Sequence, residues 1–366
     1  MVNYDGLISQ LHLTQGPFAL LTNQATSTTG RLKALFPDRF KCLFSAEHGF
    51  YAMAAPGEKT LDGHDDFWDL PYYSLYGEHR KPTPAMLTGL KRVIVDLCDI
   101  GVRCYTYLAT LGNVLEACAE QGVAVTVLDR EIPLGGIVDG PMRRDDFSSF
   151  VAPYNVPLCH GMTPGECAYW IAREKRLELD LSVVRLLRWN HAARAPWPNF
   201  VPPSPGIRTW DSAALYPMTL FTEAYPAVDC DRAGPLSFRI LGAPWLDRRR
   251  FMADLAPGLF SCGVAMRPYR YQPGTGTYAG KTLDGVLFTV MKPEAYYPVT
   301  AGTLVFASLM SRHAAEMAEG ARPEWLDKLT GSSDIRAALA AGDLEPLFHA
   351  WIAGQDEYLK SRVNLY

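Results

Sequence analysis

The stretch Phe44-Ser-Ala-Glu-His-Gly49 brings together the residue types that acid–base chemistry uses. A short apolar run, Lys41 to Ser45, leads into it like a buried strand, and a carboxylate, an imidazole and a glycine then follow in succession. Glu47 and His48 at the carboxyl end of a strand, with Gly49 permitting a sharp turn, have the form of an acid/base residue and its neighbour at the rim of a sheet. The same six residues also fit a solvated loop, so the elements around them must decide.

A sheet that could position them is legible on both sides. Phe18-Ala-Leu-Leu-Thr22 reads as a strand delivering Asn23, followed by a Ser/Thr/Gly-rich loop and a short helix around Arg31 to Phe36. Val93 to Leu97 reads as a strand delivering Asp99 and Arg103, Tyr107 to Gln121 as a helix stopped by Gly122, and Val123 to Leu128 as a strand delivering Asp129 and Arg130. Thr163 to Glu174 is a helix in which Thr163 and Glu166 are spaced as a capping box, Leu181 to Trp189 is β-like, and Trp197 to Ser212 is rich in Pro. From Glu47 to near Thr83 the pattern predicts one long polar loop, which is uncommon in a compact domain unless it serves a site.

Strands alternating with helices predict an α/β fold, a Rossmann-like doubly wound, mainly parallel sheet over residues 1–232. The crevice of such a sheet lies outside the carboxyl ends of its strands, where Asn23, Glu47, Asp99, Arg103, Asp129 and Arg130 would gather. Near Pro235 the pattern changes to short strands (Ser237 to Leu241, Val264 to Tyr269, Val286 to Met291) and then helices (Ala301 to Met317, Ser333 to Ala341, Leu344 to Lys360). That predicts a smaller α+β domain over residues 233–366.

The 366-residue length suits two domains, and 48% hydrophobic with 20% charged residues places the chain among ordinary globular proteins. A net charge of -4 gives no general case for nucleic acid or an anionic membrane as partner. No apolar run approaches the roughly 18 residues of a membrane span, and the N-terminus lacks the pattern of a secretory signal, so the chain as written is expected in the cytoplasm. The 8 cysteines form no Cys-x-x-Cys pair and mostly lie in apolar stretches, which predicts buried free thiols.

Gly274-Thr-Gly-Thr-Tyr-Ala-Gly-Lys-Thr282 departs from a phosphate loop at Thr275 and reads as a Gly-rich turn. Neither a dinucleotide-binding fingerprint nor a nucleophile elbow is present, and His48, His64, His79 and His160 have no metal-ligand spacing. No cofactor or metal is predicted.

The chain resembles a bacterial family first catalogued as a domain of unknown function and since recognised as exo-β-N-acetylmuramidases. The matching segments include Leu20 to Gln24, Phe44 to Gly49, Gly57 to Lys59, Leu70 to Thr83, Asp99 to Tyr107, Leu128 to Arg130, Pro133 to Gly136, Asp139 to Pro141, His160 to Glu166, Pro202 to Pro205 and Gly242 to Trp245. The resemblance implies a Rossmann-like glycosidase that releases N-acetylmuramic acid from the non-reducing ends of peptidoglycan fragments, with its catalytic glutamate at Glu47. Family members are commonly exported, so periplasmic or secreted placement is also compatible. Thr222 to Cys230 stands where the family carries a Gly-rich, Glu-containing segment.

Glycoside cleavage requires a carboxylic acid that is protonated near neutral pH and a second group that supports an oxocarbenium-like transition state. Glu47 fits the first role, with His48 orienting it or binding sugar hydroxyls. Asp99 or Asp129 fits the second, or the substrate's own acetamido group supplies it. The lactyl carboxylate of muramic acid calls for a fixed cation: Arg103 first, then Arg80 or Arg130. Tyr105, Tyr107, Tyr73 and Tyr76 could stack on or bond the sugar, and His160 could line the site. Two other classes remain open: a non-catalytic muropeptide-binding protein on the same fold, and a metal-dependent hydrolase or deacetylase.

Overall fold

The computed structural model describes residues 2–187, 189–192 and 200–362, so position 188 of the β-like stretch and positions 197–199 of the Pro-rich stretch lie outside the described residues. Helix Tyr4–Leu13, for which the sequence reading had no element, opens the fold and buries Leu7 and Leu11. The strands that follow are Phe18–Thr22 (β1), Phe40–Ser45 (β2), Gly63–Asp65 (β3), Leu70–Ser74 (β4), Arg92–Asp96 (β5), Ala124–Leu128 (β6), Val138–Met142 (β7), Pro157–His160 (β8) and Leu181–Val184 (β9).

Seven of them form one sheet in the order β3-β4-β2-β1-β5-β6-β9. Every pairing is parallel except β3 against β4. Strands β1 and β6 are buried at every residue, as a sheet covered on both faces requires. Strand addition reverses direction between β1 and β5, and that reversal opens a crevice at the carboxyl ends.

The stretch after Glu47 is not one structureless loop, because Leu70–Ser74 adds a parallel strand beside β2. Pro71, which argues against a strand in the sequence, lies outside the register with β2, and Tyr72 and Tyr73 carry the pairing. Strands β7 and β8 form a separate antiparallel pair.

Past helix Trp210–Thr219, strands Ile240–Gly242 (β10), Val264–Tyr271 (β11) and Leu283–Val290 (β12) make an antiparallel sheet in the order β10-β12-β11. Residues 272–282, the Gly-rich turn, connect β11 to β12. Helices Arg248–Ser261, Pro298–Arg312, Pro323–Thr330, Asp334–Ala341 and Glu345–Ser361 complete this part. Buried side chains from both sheets join in one continuous core. Among the described residues no helix is long and apolar enough to cross a membrane.

Two buried charged residues tie the later helices to the first part of the chain. Asp139 on β7 accepts from the Val299 and Thr300 backbone N–H groups and from the Thr300 hydroxyl, holding the start of helix Pro298–Arg312. Arg103 is fully buried, and its guanidinium donates to the carbonyls of Pro141, Val156 and Thr330. Its expected role as the cation for a substrate carboxylate is therefore corrected. This guanidinium has no access to solvent and its two terminal nitrogens are engaged by backbone carbonyls, and burial pulls its pKa down to about 10.

Arg103→Met should leave those buried carbonyls without donors and lower the unfolding free energy by about 3 kcal/mol or more. Urea unfolding checks this; unchanged stability would show that the three bonds do not hold the fold.

Candidate functional site

Strand β2 ends at Ser45, and the chain then turns sharply through His48 (φ 72°) and Gly49 (φ 78°), both left-handed. Glycine adopts that conformation freely, whereas at His48 it is a strained placement that its surroundings must enforce. One enforcing contact is visible: Nδ1 of His48 lies 2.9 Å from the Ala54 carbonyl. A carbonyl only accepts, so Nδ1 carries the proton and Nε2 is left as the second ring nitrogen.

The loop beyond His48 folds back over the preceding glutamate. The Gly57 N–H donates to Glu47 Oε1 at 2.7 Å, and the Thr106 hydroxyl donates to Glu47 Oε2 at 2.6 Å. Thr106 immediately precedes helix Tyr107–Gln121, so the acid is clamped between the loop after β2 and the helix after β5. The sequence reading missed Thr106. Its position directly before a helical run was the available signal.

Glu47 and His48 open onto a cleft of about 270 Å³. Its walls include Tyr76, Tyr105, Ser204, Tyr216, Glu223, Arg232 and Trp325, so both parts of the chain contribute. Glu223 is the finding the sequence did not anticipate. Its Oε1 accepts from Arg232 Nη2 at 2.8 Å and from the Tyr216 hydroxyl at 3.2 Å, and its backbone carbonyl accepts from Arg322 Nη2 at 2.7 Å. The stretch Thr222 to Cys230, read as a departure from the family, thus supplies a second carboxylate held by a fixed cation.

The other expected site residues divide clearly. Tyr105 lines the cleft beside Glu47 and His48. Asn23 is turned onto the backbone of Cys98, both donating to its carbonyl and accepting from its N–H. Tyr107 donates to the Pro203 carbonyl and so fixes the Pro-rich wall of the cleft without entering it. Arg130 is spent on Asp96, which also accepts from Thr28, and its expected substrate contact is corrected for that reason.

Asp99 accepts from the Gly101 N–H at 2.7 Å, while Asp129 accepts from the Gly165 N–H and the Thr163 hydroxyl. Neither lines the Glu47 cleft, so their roles as catalytic base, nucleophile or sugar ligand are corrected to backbone anchors. Burial pushes each of their carboxyl groups up to about 7 against the opposing pull of those N–H donors. His160 is fully enclosed, accepts from the Met162 N–H through Nδ1, and is driven down to about 3 by burial, with Arg362 and Arg103 adding repulsion. It holds its loop and does not line the cleft. Among the described residues no group of three or more His, Cys, Asp or Glu side chains is arranged to hold a metal ion.

Comparison with known proteins covers the chain in two parts. Residues 18–211 match the model of the N-terminal part of the exo-beta-N-acetylmuramidase NamZ family, and residues 214–366 match its C-terminal part. The peptidoglycan beta-N-acetylmuramidase NamZ of Bacillus subtilis (strain 168) is 31% identical over 356 residues, spanning 94% of this chain and 84% of the relative. Two crystal structures of DUF1343 family proteins from Bacteroides fragilis NCTC 9343 superpose well. One has a TM-score of 0.88 at 25% identity, covering 99% of this chain and 96% of that one. The other, at 0.76 and 23% identity, covers 97% and 94% and shares the fold.

The two raised aspartates have a consequence in pH. Each holds its proton to about 7 when folded, against the ordinary 3.8, so the unfolded chain releases protons first and stability falls as pH rises between those values. Asp99→Asn and Asp129→Asn should each flatten that fall. Urea midpoints at pH 5 and pH 8 test it, and curves parallel to wild type would contradict the assignment.

Proposed function

The chain belongs to the exo-beta-N-acetylmuramidase family and is a glycosidase, and we propose that it releases N-acetylmuramic acid from the non-reducing ends of peptidoglycan fragments with Glu47 as the general acid. The observation that carries this reading is the clamp on Glu47: Gly57 and Thr106 fix both carboxylate oxygens at the mouth of a cleft that contains a second carboxylate. An acid held this way is aimed without waiting for substrate to order it. Each oxygen keeps a further lone pair, so either can carry the proton that the departing glycosidic oxygen needs.

Glu223 supports the opposite partner of the reaction. It faces the same cleft in contact with Arg232, and a negative charge fixed there would stabilise the positive charge that develops at the anomeric carbon. His48 and Tyr105 border the space between, where sugar hydroxyls would be bonded. The segment Thr222 to Cys230, which departs from the family's pattern, is the one that delivers Glu223.

Release of chromophore from an aryl β-N-acetylmuraminide, compared with the matching glucosaminide, tests this directly. Wild type should turn over the muraminide and retain that activity in EDTA. Glu47→Gln should lose about 10²- to 10⁴-fold in kcat on disaccharide fragments. Its loss should be much smaller on the aryl glycoside, whose leaving group scarcely needs a proton. An equal loss on both would make Glu47 something other than the acid, and binding of fragments without any turnover would make the protein a sensor. Glu223→Gln should instead depress both substrates alike, and an unaffected rate would remove Glu223 from the reaction.

A further inference from the structure

Muramic acid differs from glucosamine by one charged group, the lactyl carboxylate on C3, and selective cleavage needs a cation that reads it. The arginines around the cleft can be sorted by what they already hold. Arg103 is sealed on three carbonyls and Arg130 on Asp96. Arg232 is committed to the Glu223 carboxylate, and Arg322 donates to the Glu223 carbonyl.

Arg80 differs from all of them. Its guanidinium carbon lies 4.5 Å from the centroid of the Tyr76 ring and 4.2 Å from that of Phe150. Those rings are tilted by 55° with centroids 5.7 Å apart, and the cation sits over both in the angle they form. The Arg80 backbone is pinned as well, since its carbonyl accepts from Asn113 at 2.7 Å. The side chain stays exposed, and among the described residues it has no carboxylate partner within ion-pair distance.

Its location connects it to the acid. Tyr76 and Val151 are walls of the Glu47 cleft, and Phe150 immediately precedes Val151. Tyr76 lines the same cleft as Glu47, and its ring carries the Arg80 guanidinium. One aromatic ring therefore connects the cleft of the group that would protonate the C1 oxygen with a preorganised guanidinium that no carboxylate neutralises. A pyranose lying along that ring presents its C3 substituent away from the glycosidic bond and toward the arginine.

We propose that Arg80, stacked between Tyr76 and Phe150, is the specificity determinant of the cleft and takes the lactyl carboxylate of the terminal muramic acid through its guanidinium N–H groups. The inference rests on the muramidase reading and deepens it. A guanidinium presents a planar pair of donors that matches a carboxylate, and aromatic stacking holds that plane without consuming the donors. Because the pair forms at an exposed rim, added salt weakens it.

The test compares wild type, Arg80→Met, Arg80→Lys and Arg322→Met on three substrates: the aryl muraminide, its lactyl methyl ester and the aryl glucosaminide. Arg80→Met should raise KM for the muraminide about 10- to 100-fold, the span of a charge-assisted hydrogen-bonded pair. It should leave KM for the ester and the glucosaminide, and the melting temperature, as in wild type. Arg80→Lys should recover part of the loss. An unchanged muraminide KM in Arg80→Met, an equal rise on the ester, or the selective loss appearing in Arg322→Met would each overturn the assignment.

A wild-type protein that turns over none of these substrates would defeat the muramidase reading itself, and Arg80 is then judged by calorimetry with free N-acetylmuramic acid and its methyl ester. A preference for the free acid that Arg80→Met abolishes supports the assignment. Absence of that preference in wild type overturns it.

Discussion

A single buried cation decides how the two parts of this chain meet. Arg103 leaves the crevice segment after β5 and places its guanidinium among the carbonyls of Pro141, Val156 and Thr330. Three residues further along is Thr106, which holds Glu47, and Thr330 closes the helix that carries the cleft residues Trp325 and Leu329. Both walls of the cleft are thereby referred to one rigid group. A guanidinium suits this duty because its donors fan out in a plane and it remains charged even when burial weakens it. Asp139 performs the reciprocal task with acceptors, fixing the start of helix Pro298–Arg312.

The parallel sheet was legible because its central strands are short, apolar and largely buried, and runs of that kind read plainly in a one-dimensional pattern. Strand β4 was hidden because its proline and flanking polar residues imitate a loop. At the site, Glu47, His48 and Tyr105 were legible, since a strand end followed by ionisable groups announces a crevice. The misplacement of Arg103, Asp99, Asp129, Arg130 and His160 has one cause. Strand-end polar residues are also what a sheet uses to bind the backbone of the next loop, and a sequence does not show which way a side chain turns. Glu223 lay beyond reach for the opposite reason: it joins Glu47 only through tertiary packing, at a separation in sequence that no local pattern bridges.

Two pairs of acidic residues near the crevice show different physics. Asp99 and Asp129 are enclosed, accept from backbone N–H groups, and resist ionisation through burial. Glu47 and Glu223 face the cleft and are held by side-chain or loop donors that leave room for a ligand. The arginines divide similarly: Arg103 satisfies buried carbonyls, whereas the Arg80 guanidinium rests against aromatic faces.

The composite cleft also changes how a bound sugar acts on the polypeptide. A molecule seated between Thr106 and Glu223 touches parts of the chain that no covalent crosslink joins, for all eight cysteines are free thiols. While it stays, separating those parts costs its binding free energy in addition to that of the core, so the occupant behaves as a reversible staple. A cell wall fragment is then both the material this protein consumes and, for the duration of each encounter, a component of its architecture.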